Sequence, residues 1–582
     1  MSNHSMQKLT SLVYTGVLSL LAFNVYADAV SSADFILNNG EFYTVNEQQP
    51  WVQAVAIKDG KIIYVGDDSG AESYKGKQTL TYNLEKQFVL PGLVDSHTHP
   101  GYIAADTETV ELPYYGNKEQ VLNTLAAYAK KYPEKPFIYG GSWPNTLFDD
   151  RGPHKSELDA VINDRPVLLI DTSGHSQWLN SKALELFGID KNTVDPVPGV
   201  SFFYRDANGE PTGWVKEFAI REQMQAIGMR GVVDAKVFEQ FLNYLSSMGV
   251  TTLFDGGNNG PGDSAYSIAS DLESKGRLPV RYEGVYHITL PKQVPIAIDE
   301  LKRLRQDYGG KRLKFNTIKI HFDGVHEVAT SGVIEPFINT NDNNRGGTLM
   351  NTEELSDFIF ELHQESIDLH MHTVGDYAVK VALDAVEATQ SIIKEPLRTQ
   401  VTLCHLELIA EEDFKRFREL GVIANYTPHW HGGWIDGAQH TLGQARFDKM
   451  YRAQPLLDAG AIVTFSSDIV SQYEWKTKRA NPYFGMQIGN TRIEPELGET
   501  AALRLPVTEQ LSIKDLIYGY TINGAHQLRM SEMLGSIEVG KAADLVILNQ
   551  DLFETPKHEI GNIVPNAVIM DGELISGSLS WK

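Results

Sequence analysis

The sequence predicts an α/β fold: a (β/α)8 TIM barrel with an inserted segment after its first strand, plus a small β-sandwich domain built from both chain ends. Three observations lead to this prediction. Strand-like apolar runs alternate with amphipathic helix patterns through the middle of the chain. Several of these runs recur at about the 31 residues that one barrel unit takes. Short strands with turn residues occupy both ends of the chain.

Composition excludes several classes of protein. The 582 residues include 51 Lys+Arg and 75 Asp+Glu, a formal net charge of −24. This acidic balance argues against nucleic acid or an anionic membrane surface as a partner. The single cysteine, Cys404, excludes a disulfide framework, a cysteine-based zinc module and an iron–sulfur cluster. The sequence leaves the oligomeric state open, a homodimer included.

Residues 1–27 have the layout of a secretory signal peptide. No charged residue lies between Lys8 and Asp28, and this gap holds a short apolar stretch that ends in Val25-Tyr26-Ala27. The alternative is an uncleaved membrane anchor, but a spanning helix needs about 20 mostly apolar residues and polar side chains interrupt this stretch. We expect cleavage after Ala27, a periplasmic or secreted protein, and no membrane attachment after cleavage.

The two chain ends predict the small β domain. Its first part is residues 28–90, where the apolar runs 54–57 and 62–65 flank Lys58-Asp59-Gly60, a hairpin signal. Its second part is residues 531–582, where the runs 545–548 and 567–570 have the same character. We expect the two parts to pack as one domain, with the middle of the chain inserted between them.

Eight strand candidates make up the predicted barrel, the first within residues 91–105 and the others within residues 236–530. Their ranges are 93–98, 250–255, 280–287, 315–321, 367–373, 400–406, 422–427 and 462–467. Helix patterns lie between most of them, for example at 353–364 and 376–387. The gap after the first strand is too long for one barrel unit. Unless the second strand is misplaced, residues 106–235 are an inserted segment, with a strand-like run at 166–171.

Histidine, lysine and aspartate residues stand at the ends of several predicted strands. In Asp95-Ser96-His97-Thr98-His99, residues two apart on a strand point to the same side, so His97 and His99 can chelate one metal ion. That pattern alone is common by chance. The side chains at or near the ends of later strands are Lys319, His372, His405 and Asp468. Each has an ordinary explanation by itself, but together the six predict a metal site where barrel active sites lie.

Alternation and spacing support this placement. Ile318, Ile320 and Phe322 alternate outward, which directs Lys319 inward, where an unpaired lysine is costly. His372 and His405 are 33 residues apart, about one barrel unit, and Asp468 follows 63 residues later, about two units. The ligands therefore fall on strands one, four, five, six and eight.

This order of residues resembles the metal-dependent amidohydrolase superfamily. A string from Leu534-Gly535-Ser536 to Asp544-Leu545-Val546 looks like the family's return into the small β domain. Within the superfamily, the chain is most similar to the YtcJ-like (amidohydrolase 3) branch, which includes N-substituted formamide deformylase. The matching pieces are Gly174-His175-Ser176 with Asn180, Thr317-Ile318-Lys319 with Asp323-Gly324, and His372 with Gly375-Asp376.

The resemblance implies a metal centre of one or two ions. His97, His99 and Asp468 would hold one ion, His372 and His405 the second, and Lys319, carboxylated by carbon dioxide, would bridge them. Zinc is the expected metal for imidazole and carboxylate ligands, and manganese, iron or cobalt also suit this set. A hydroxide activated by the metal would attack the substrate, with Asp468 as ligand and general base.

The implied function is an exported metal-dependent amidohydrolase that cleaves a carbon–nitrogen bond, other than a peptide bond, in a small molecule. The bond would belong to an amide, an N-formyl compound or a cyclic amide. An esterase or lactonase with the same site is one alternative, and a non-catalytic binding or regulatory protein is another.

Three further residues are candidates for contact with the substrate. His175 in the insert is a candidate catalytic residue, as a donor to the developing oxyanion, with a structural histidine beside Trp178 as the alternative. Trp143 and Trp430 are the other two candidates. Trp430 belongs to Pro428-His429-Trp430-His431-Gly432-Gly433-Trp434, which predicts either an aromatic wall for the substrate or a packed loop.

Overall fold

The computed structural model describes residues 32–105, 109–114, 116–227, 229, 232–258, 262–340, 343–433, 437–498 and 501–579, so the predicted signal peptide lies outside the described residues. An eight-stranded parallel sheet forms the centre, with its strands paired in chain order. The strands are Leu93–Thr98, Val250–Asp255, Arg281–Ile288, Leu313–His321, Asp368–Thr373, Val401–His405, Ile423–Tyr426 and Val463–Phe465. This is the predicted (β/α)8 barrel, and the strand ends lie within two residues of those expected.

Hydrogen bonds join the eighth barrel strand to the first. Ser96 Oγ donates to Phe465 O at 2.7 Å. The backbone N–H of Asp468 donates to His97 O at 2.8 Å. These two bonds bring the ends of both strands together, and with them two of the predicted metal ligands.

Helices pack around the barrel. The longer ones are Ala235–Ser247, Ser264–Ser274, Ala297–Tyr308, Thr352–Glu365, Asp376–Ile392 and Pro482–Thr491, with shorter helices at Pro100–Ala105, Phe414–Leu420, Ala438–Leu442, Gln444–Phe447, Gln454–Asp458, Gln472–Lys476, Ile513–Gly519 and Ile522–Gln527. The short helix Asp68–Ala71 packs instead on the small β domain. Ile318, Ile320 and Phe322 share one buried cluster with helix residues such as Leu301 and Leu355, which confirms that they point outward. Within the described residues, no helix has the length and apolar character needed to span a membrane.

Both chain ends contribute to the small β domain, as predicted. One sheet combines Glu41–Tyr43, Trp51–Val52 and Phe88–Pro91 with Leu545–Leu548, Ala567–Met570 and Glu573–Gly577 from the far end. The second sheet contains Phe35–Asn38, Ala54–Lys58, Lys61–Gly66 and Leu80–Asn83. Leu37 and Val55 of the second sheet share a buried cluster with Leu545 and Ile547 of the first. The two sheets therefore pack face to face as a sandwich.

The insert has a six-stranded sheet of its own. Its strands are Val110–Glu111, Ile138–Trp143, Val167–Asp171, Ser176–Leu179, Phe203–Arg205 and Pro211–Lys216, and its helices are Lys118–Lys131, Lys155–Asp159, Ser181–Phe187 and Arg221–Ala226. Leu168 and Leu169 belong to two different buried clusters, so both faces of this sheet are covered. The second barrel strand, Val250–Asp255, pairs directly with the first, so its predicted position is correct. The insert therefore accounts for the long gap in sequence between these two strands.

Candidate metal centre

His97, His99 and Asp468 converge at the carboxyl ends of the first and eighth barrel strands. Asp468 Oδ1 is 3.2 Å from His99 Nε2 and 3.7 Å from His97 Nε2. All three side chains are buried, and one ligand atom from each lies within 4.8 Å of the others. An ion about 2.0–2.2 Å from each ligand atom needs separations of about 3–4 Å between them. The two measured distances fit one metal ion.

Neighbouring groups hold these ligands in position. His99 Nδ1 is 3.0 Å from Gly257 O, so we assign its proton to Nδ1, which leaves Nε2 for a metal. Asp95 accepts the backbone N–H of Ser467 at 3.0 Å and the Ser467 hydroxyl at 2.5 Å. Asp468 itself has a φ of +47°, a left-handed turn that directs its carboxylate back over the barrel end.

Burial sets the protonation state of the histidines. It lowers the pKa of His97, His372 and His405 well below the usual range. Neutral imidazole is the form that binds metal ions. Burial also lowers the pKa of His99, but the hydrogen bond and charge of Asp468 outweigh it, so the pKa of His99 is raised. The space between His99 and Asp468 therefore attracts a cation, either a proton or a metal ion.

His372 and His405 lie beside the first three ligands, with ring centroids 4.4 Å apart. His405 Nδ1 is 3.4 Å from Asp468 Oδ2 and is a buried nitrogen without a hydrogen-bond partner. His372 Nε2 is 3.3 Å from Gly324 O. The structure thus brings the predicted pair together, although in the part of the chain it describes neither residue belongs to a three-ligand group.

Lys319 is buried in the fourth barrel strand and lines a cavity at the carboxyl ends of the barrel strands, so its inward direction is as predicted. Its Nζ is 3.1 Å from Cys404 Sγ, and no described carboxylate forms an ion pair with it. Burial raises the pKa of the Cys404 thiol to about 12, so this partner is neutral. A buried ammonium without a carboxylate is costly. These surroundings fit a carboxylated Lys319, because carboxylation would replace the ammonium by an anionic carbamate that metal ions can neutralise.

His175 enters the same region from the insert. Its Nδ1 is 2.6 Å from Glu217 Oε2, and its ring lies 5.6 Å from that of His372. Burial lowers the pKa of His175, but the charge and hydrogen bond of Glu217 outweigh it and raise the pKa. Trp178 instead packs in the core of the insert. His175 therefore lines the cavity rather than packing as a core residue.

The two tryptophans predicted to contact the substrate have different surroundings. Trp143 is 1% exposed in the core of the insert, where its Nε1 donates to Leu169 O at 3.2 Å. It does not line the cavity, which corrects the expectation of substrate contact. Trp430 lines the cavity and stacks on the His405 ring at 5.4 Å. His429 and His431 beside it are buried, so the described part of this loop is packed and contributes the half-buried Trp430 to the cavity wall. Trp434 of the same loop lies outside the described residues.

Glu217, His321 and His370 are among the polar side chains at this site that were not predicted. His370 Nε2 is 3.0 Å from His97 Nδ1. His321 and His370 each stand two residues from a predicted ligand on the same strand, so the alternation that directs Lys319 inward also indicates them. Glu217 has no such signal, because its approach to His175 depends on the pairing of Ser176–Leu179 with Pro211–Lys216.

A cavity of about 650 Å³ opens onto the six predicted metal ligands. This volume is in the range of small-molecule sites. Besides the metal-ligand candidates, the wall contains the aromatic side chains Tyr102, Tyr114, Tyr139, Phe218, Trp430 and Tyr473. The site therefore suits a small molecule with an apolar part and a polar group that reaches the ligands.

Comparisons with known proteins find relatives that align with most of this chain. N-substituted formamide deformylase of Arthrobacter pascens is 23% identical, and the match covers 93% of this chain and 98% of that protein. The YtcJ protein of Bacillus subtilis (strain 168) is also 23% identical, over 93% of this chain and 99% of that protein. Exoenzymes regulatory protein AepA of Pectobacterium carotovorum subsp. carotovorum is 28% identical, over 75% of this chain and 94% of that protein.

A solved structure shares the fold. The crystal structure of an uncharacterized metal-dependent hydrolase from Pyrococcus horikoshii OT3 has a TM-score of 0.64 and 24% sequence identity, and the match covers 90% of this chain and 99% of that chain. The Amidohydrolase family model matches residues 80–576, which include the barrel, the insert and nearly all of the second part of the small β domain. The chain therefore belongs to the Amidohydrolase family, as the order of its strand-end residues predicts.

Proposed function

We propose that this protein is an exported metal-dependent hydrolase that cleaves an amide, N-formyl or cyclic amide bond in a small molecule. The observation that carries the proposal is the convergence of His97, His99 and Asp468 at the wall of the cavity. Similarity to N-substituted formamide deformylase along nearly all of both chains supports a carbon–nitrogen bond other than a peptide bond.

The donor set supports a zinc centre, with manganese, iron or cobalt as alternatives. His97, His99 and Asp468 would hold the first ion, His372 and His405 the second, and a carboxylated Lys319 would bridge them. A zinc ion bound here would supply a Lewis acid and a water molecule with a pKa of about 7.

The surroundings of Asp468 support a role as the general base. Its Oδ1 faces His97 and His99, and its Oδ2 lies 3.4 Å from His405 Nδ1, so the carboxylate stands between both groups of ligands. Asp468 takes a proton from the attacking water and passes it to the leaving nitrogen. The water oxygen enters the new carboxylic acid, and the nitrogen leaves as an amine. His175 would donate to the substrate oxygen, and the Trp430 ring would pack against its apolar part.

Metal analysis together with a substrate panel tests this proposal. We expect one or two zinc equivalents in the mature wild-type protein and hydrolysis of at least one N-formyl or N-acyl compound. Lys319→Ala and Asp468→Asn should lose metal or activity. Asp413→Asn, which changes a buried carboxylate that pairs with Arg416 away from the cavity, is the matched control. A metal-free wild type that stays inactive after zinc is added would contradict an enzymatic function.

Two alternatives predict different results in the same assays. An esterase or lactonase would hydrolyse the ester of a matched amide and ester pair faster than the amide. A binding or regulatory protein, a role suggested by the name of the AepA relative, would bind the small molecule without turnover. Matched substrate pairs with a binding assay therefore separate all three functions.

Export is the last part of the proposal. The apolar stretch before Ala27 supports cleavage there and a periplasmic or secreted location. Amino-terminal sequencing of protein from the periplasmic fraction should begin near Asp28. Light scattering on the same preparation gives the oligomeric state, for which a homodimer is the simplest assembly.

A further inference from the structure

A second group of metal-binding side chains lies beside the proposed centre and contains none of its ligands. His175 and Glu217 come from the insert, and His321 ends the fourth barrel strand. One ligand atom from each lies within 4.8 Å of the others. We propose that His175, Glu217 and His321 form an additional site for zinc or a similar divalent transition metal, which joins the insert to the barrel.

The distances in this group suit a metal ion. His321 Nε2 is 3.4 Å from Glu217 Oε2. Two ligand atoms of a tetrahedral ion at about 2.0–2.1 Å are themselves about 3.4 Å apart, so this pair already has the required spacing. His175 Nδ1 is 2.6 Å from the same oxygen. That hydrogen bond would widen by about 0.8 Å when the ion takes the place of the proton.

His321 Nε2 and Glu217 Oε2 face each other and have no hydrogen-bond partner outside this group among the described residues. The His321 side chain is only 6% exposed, and its Nε2 is a buried nitrogen without a hydrogen bond. The Glu217 side chain is fully buried, and its Oε1 accepts the hydroxyl of Thr330, which leaves Oε2 for the two imidazoles. An unpaired buried polar atom is costly, and a buried carboxylate requires a cation. A divalent ion would satisfy both atoms.

The ligand set identifies the class of metal. Two imidazoles and one carboxylate are typical of zinc sites that keep a fourth position for water. Only Nδ1 of His175 faces Glu217, so Nε2 stays available for the substrate contact proposed above.

A Cβ atom at Gly324 would lie 2.4 Å from Glu217 Oε1, so the glycine leaves the space that this carboxylate occupies.

The additional site is adjacent to the proposed centre but distinct from it. The His372 ring stacks on His321 at 3.9 Å and lies 4.4 Å from the His405 ring. The three ligands come from the insert and the barrel, so a bound ion would cross-link the two parts. Removal of that ion should loosen the insert while the centre of His97, His99 and Asp468 keeps its own ligands.

Zinc content of the full mature protein tests the site, because an occupied additional site adds one equivalent to the one or two that the proposed centre holds. Glu217→Gln and His321→Asn should each bind one zinc equivalent fewer than the wild type, while Asp468→Asn should lose a different equivalent. Glu327→Gln changes a carboxylate that lines the cavity but belongs to neither ligand set, and it should keep the full zinc content. A Glu217→Gln variant that is folded and has the zinc content of the wild type would overturn the proposal.

Zinc-soaked crystals of the wild type give a test that does not depend on the stability of a variant. We expect an anomalous peak within about 2.3 Å of Glu217 Oε2 and His321 Nε2. A peak at His97, His99 and Asp468 without one at Glu217 would refute the additional site and leave the proposed function standing. A peak at Glu217 alone would support this site and contradict the proposed centre. The absence of zinc from both places would refute both.

Discussion

Asp95 holds Asp468 in place through Ser467, and Asp95→Asn measures how much this support contributes to metal binding. Asp95 is 3% exposed, and its two carboxylate oxygens accept the Ser467 backbone N–H at 3.0 Å and the Ser467 hydroxyl at 2.5 Å. Asparagine has the same shape but keeps only one oxygen acceptor. The substitution therefore perturbs the support of Asp468 without removing a ligand.

The expected magnitude follows from these two hydrogen bonds. Hydrogen bonds to a charged group contribute about 1.5–3 kcal/mol each, against about 0.5–1.5 kcal/mol for neutral pairs. Loss of the charge should thus weaken each bond by about 1–1.5 kcal/mol, which is about 2–3 kcal/mol for the two bonds together. Residues that orient metal ligands typically change metal affinity by about 10–100-fold, which is about 1.4–2.7 kcal/mol. We expect zinc affinity of the Asp95→Asn protein to fall within that range.

Competition with a chelator measures this affinity. Ser467→Ala removes the hydroxyl but keeps the backbone N–H, so its effect should be smaller than that of Asp95→Asn. Asp413→Asn changes a buried carboxylate that pairs with Arg416 on the outer layer, and it should leave zinc affinity unchanged. If folded Asp95→Asn binds zinc as tightly as the wild type, Asp95 does not support metal binding through Ser467. The hydrogen bond from Asp468 N to His97 O would then be enough to hold Asp468 in position.

Three further predictions concern stability and the cavity. Burial raises the pKa of Glu283 from 4.5 to about 8, so the folded state keeps a proton that the unfolded state releases. The free energy of unfolding should therefore fall between about pH 4.5 and 8 by up to about 1.4 kcal/mol per pH unit. In Glu283→Gln, urea unfolding at several pH values should show a smaller fall with pH, and an equal fall in both proteins would contradict this. Arg281 on the third barrel strand forms ion pairs with Asp544 and Asp571 of the small β domain. Arg281→Leu should lower the free energy of unfolding by about 3–5 kcal/mol because it leaves the buried Asp544 unpaired, and a loss below about 1 kcal/mol would argue against this. Trp430→Ala should keep its zinc but raise KM by about 5–30-fold through loss of the ring that lines the cavity, and an unchanged KM would exclude Trp430 from the substrate site.

Several parts of the molecule were predictable because they depend on local periodicity. Alternation within one strand directs Ile318 and Ile320 outward and Lys319 inward, and the structure has this arrangement. Units of similar length place His372, His405 and Asp468 at the same end of the barrel, since parallel strands of one barrel share their carboxyl ends. The hairpin around Lys58-Asp59-Gly60 follows from its turn residues.

Other features depend on contacts between residues far apart in the chain. Trp143 ends a strand of the insert, and only the packing of the helix Lys118–Lys131 over that strand shows that its ring faces the core. Cys404 has no motif of its own, and its contact with Lys319 arises from strands four and six across the barrel interior.

The sequence by itself determined the barrel, the sandwich from both chain ends and the set of strand-end residues, because periodicity and unit length are properties of neighbouring positions. Only the tertiary structure decided which nitrogen faces which carboxylate. Glu217 meets His175 through antiparallel pairing in the insert and meets His321 through the packing of that insert on the barrel. Such contacts depend on how separate elements dock, since the energy that forms them comes from burying surfaces distant in the chain.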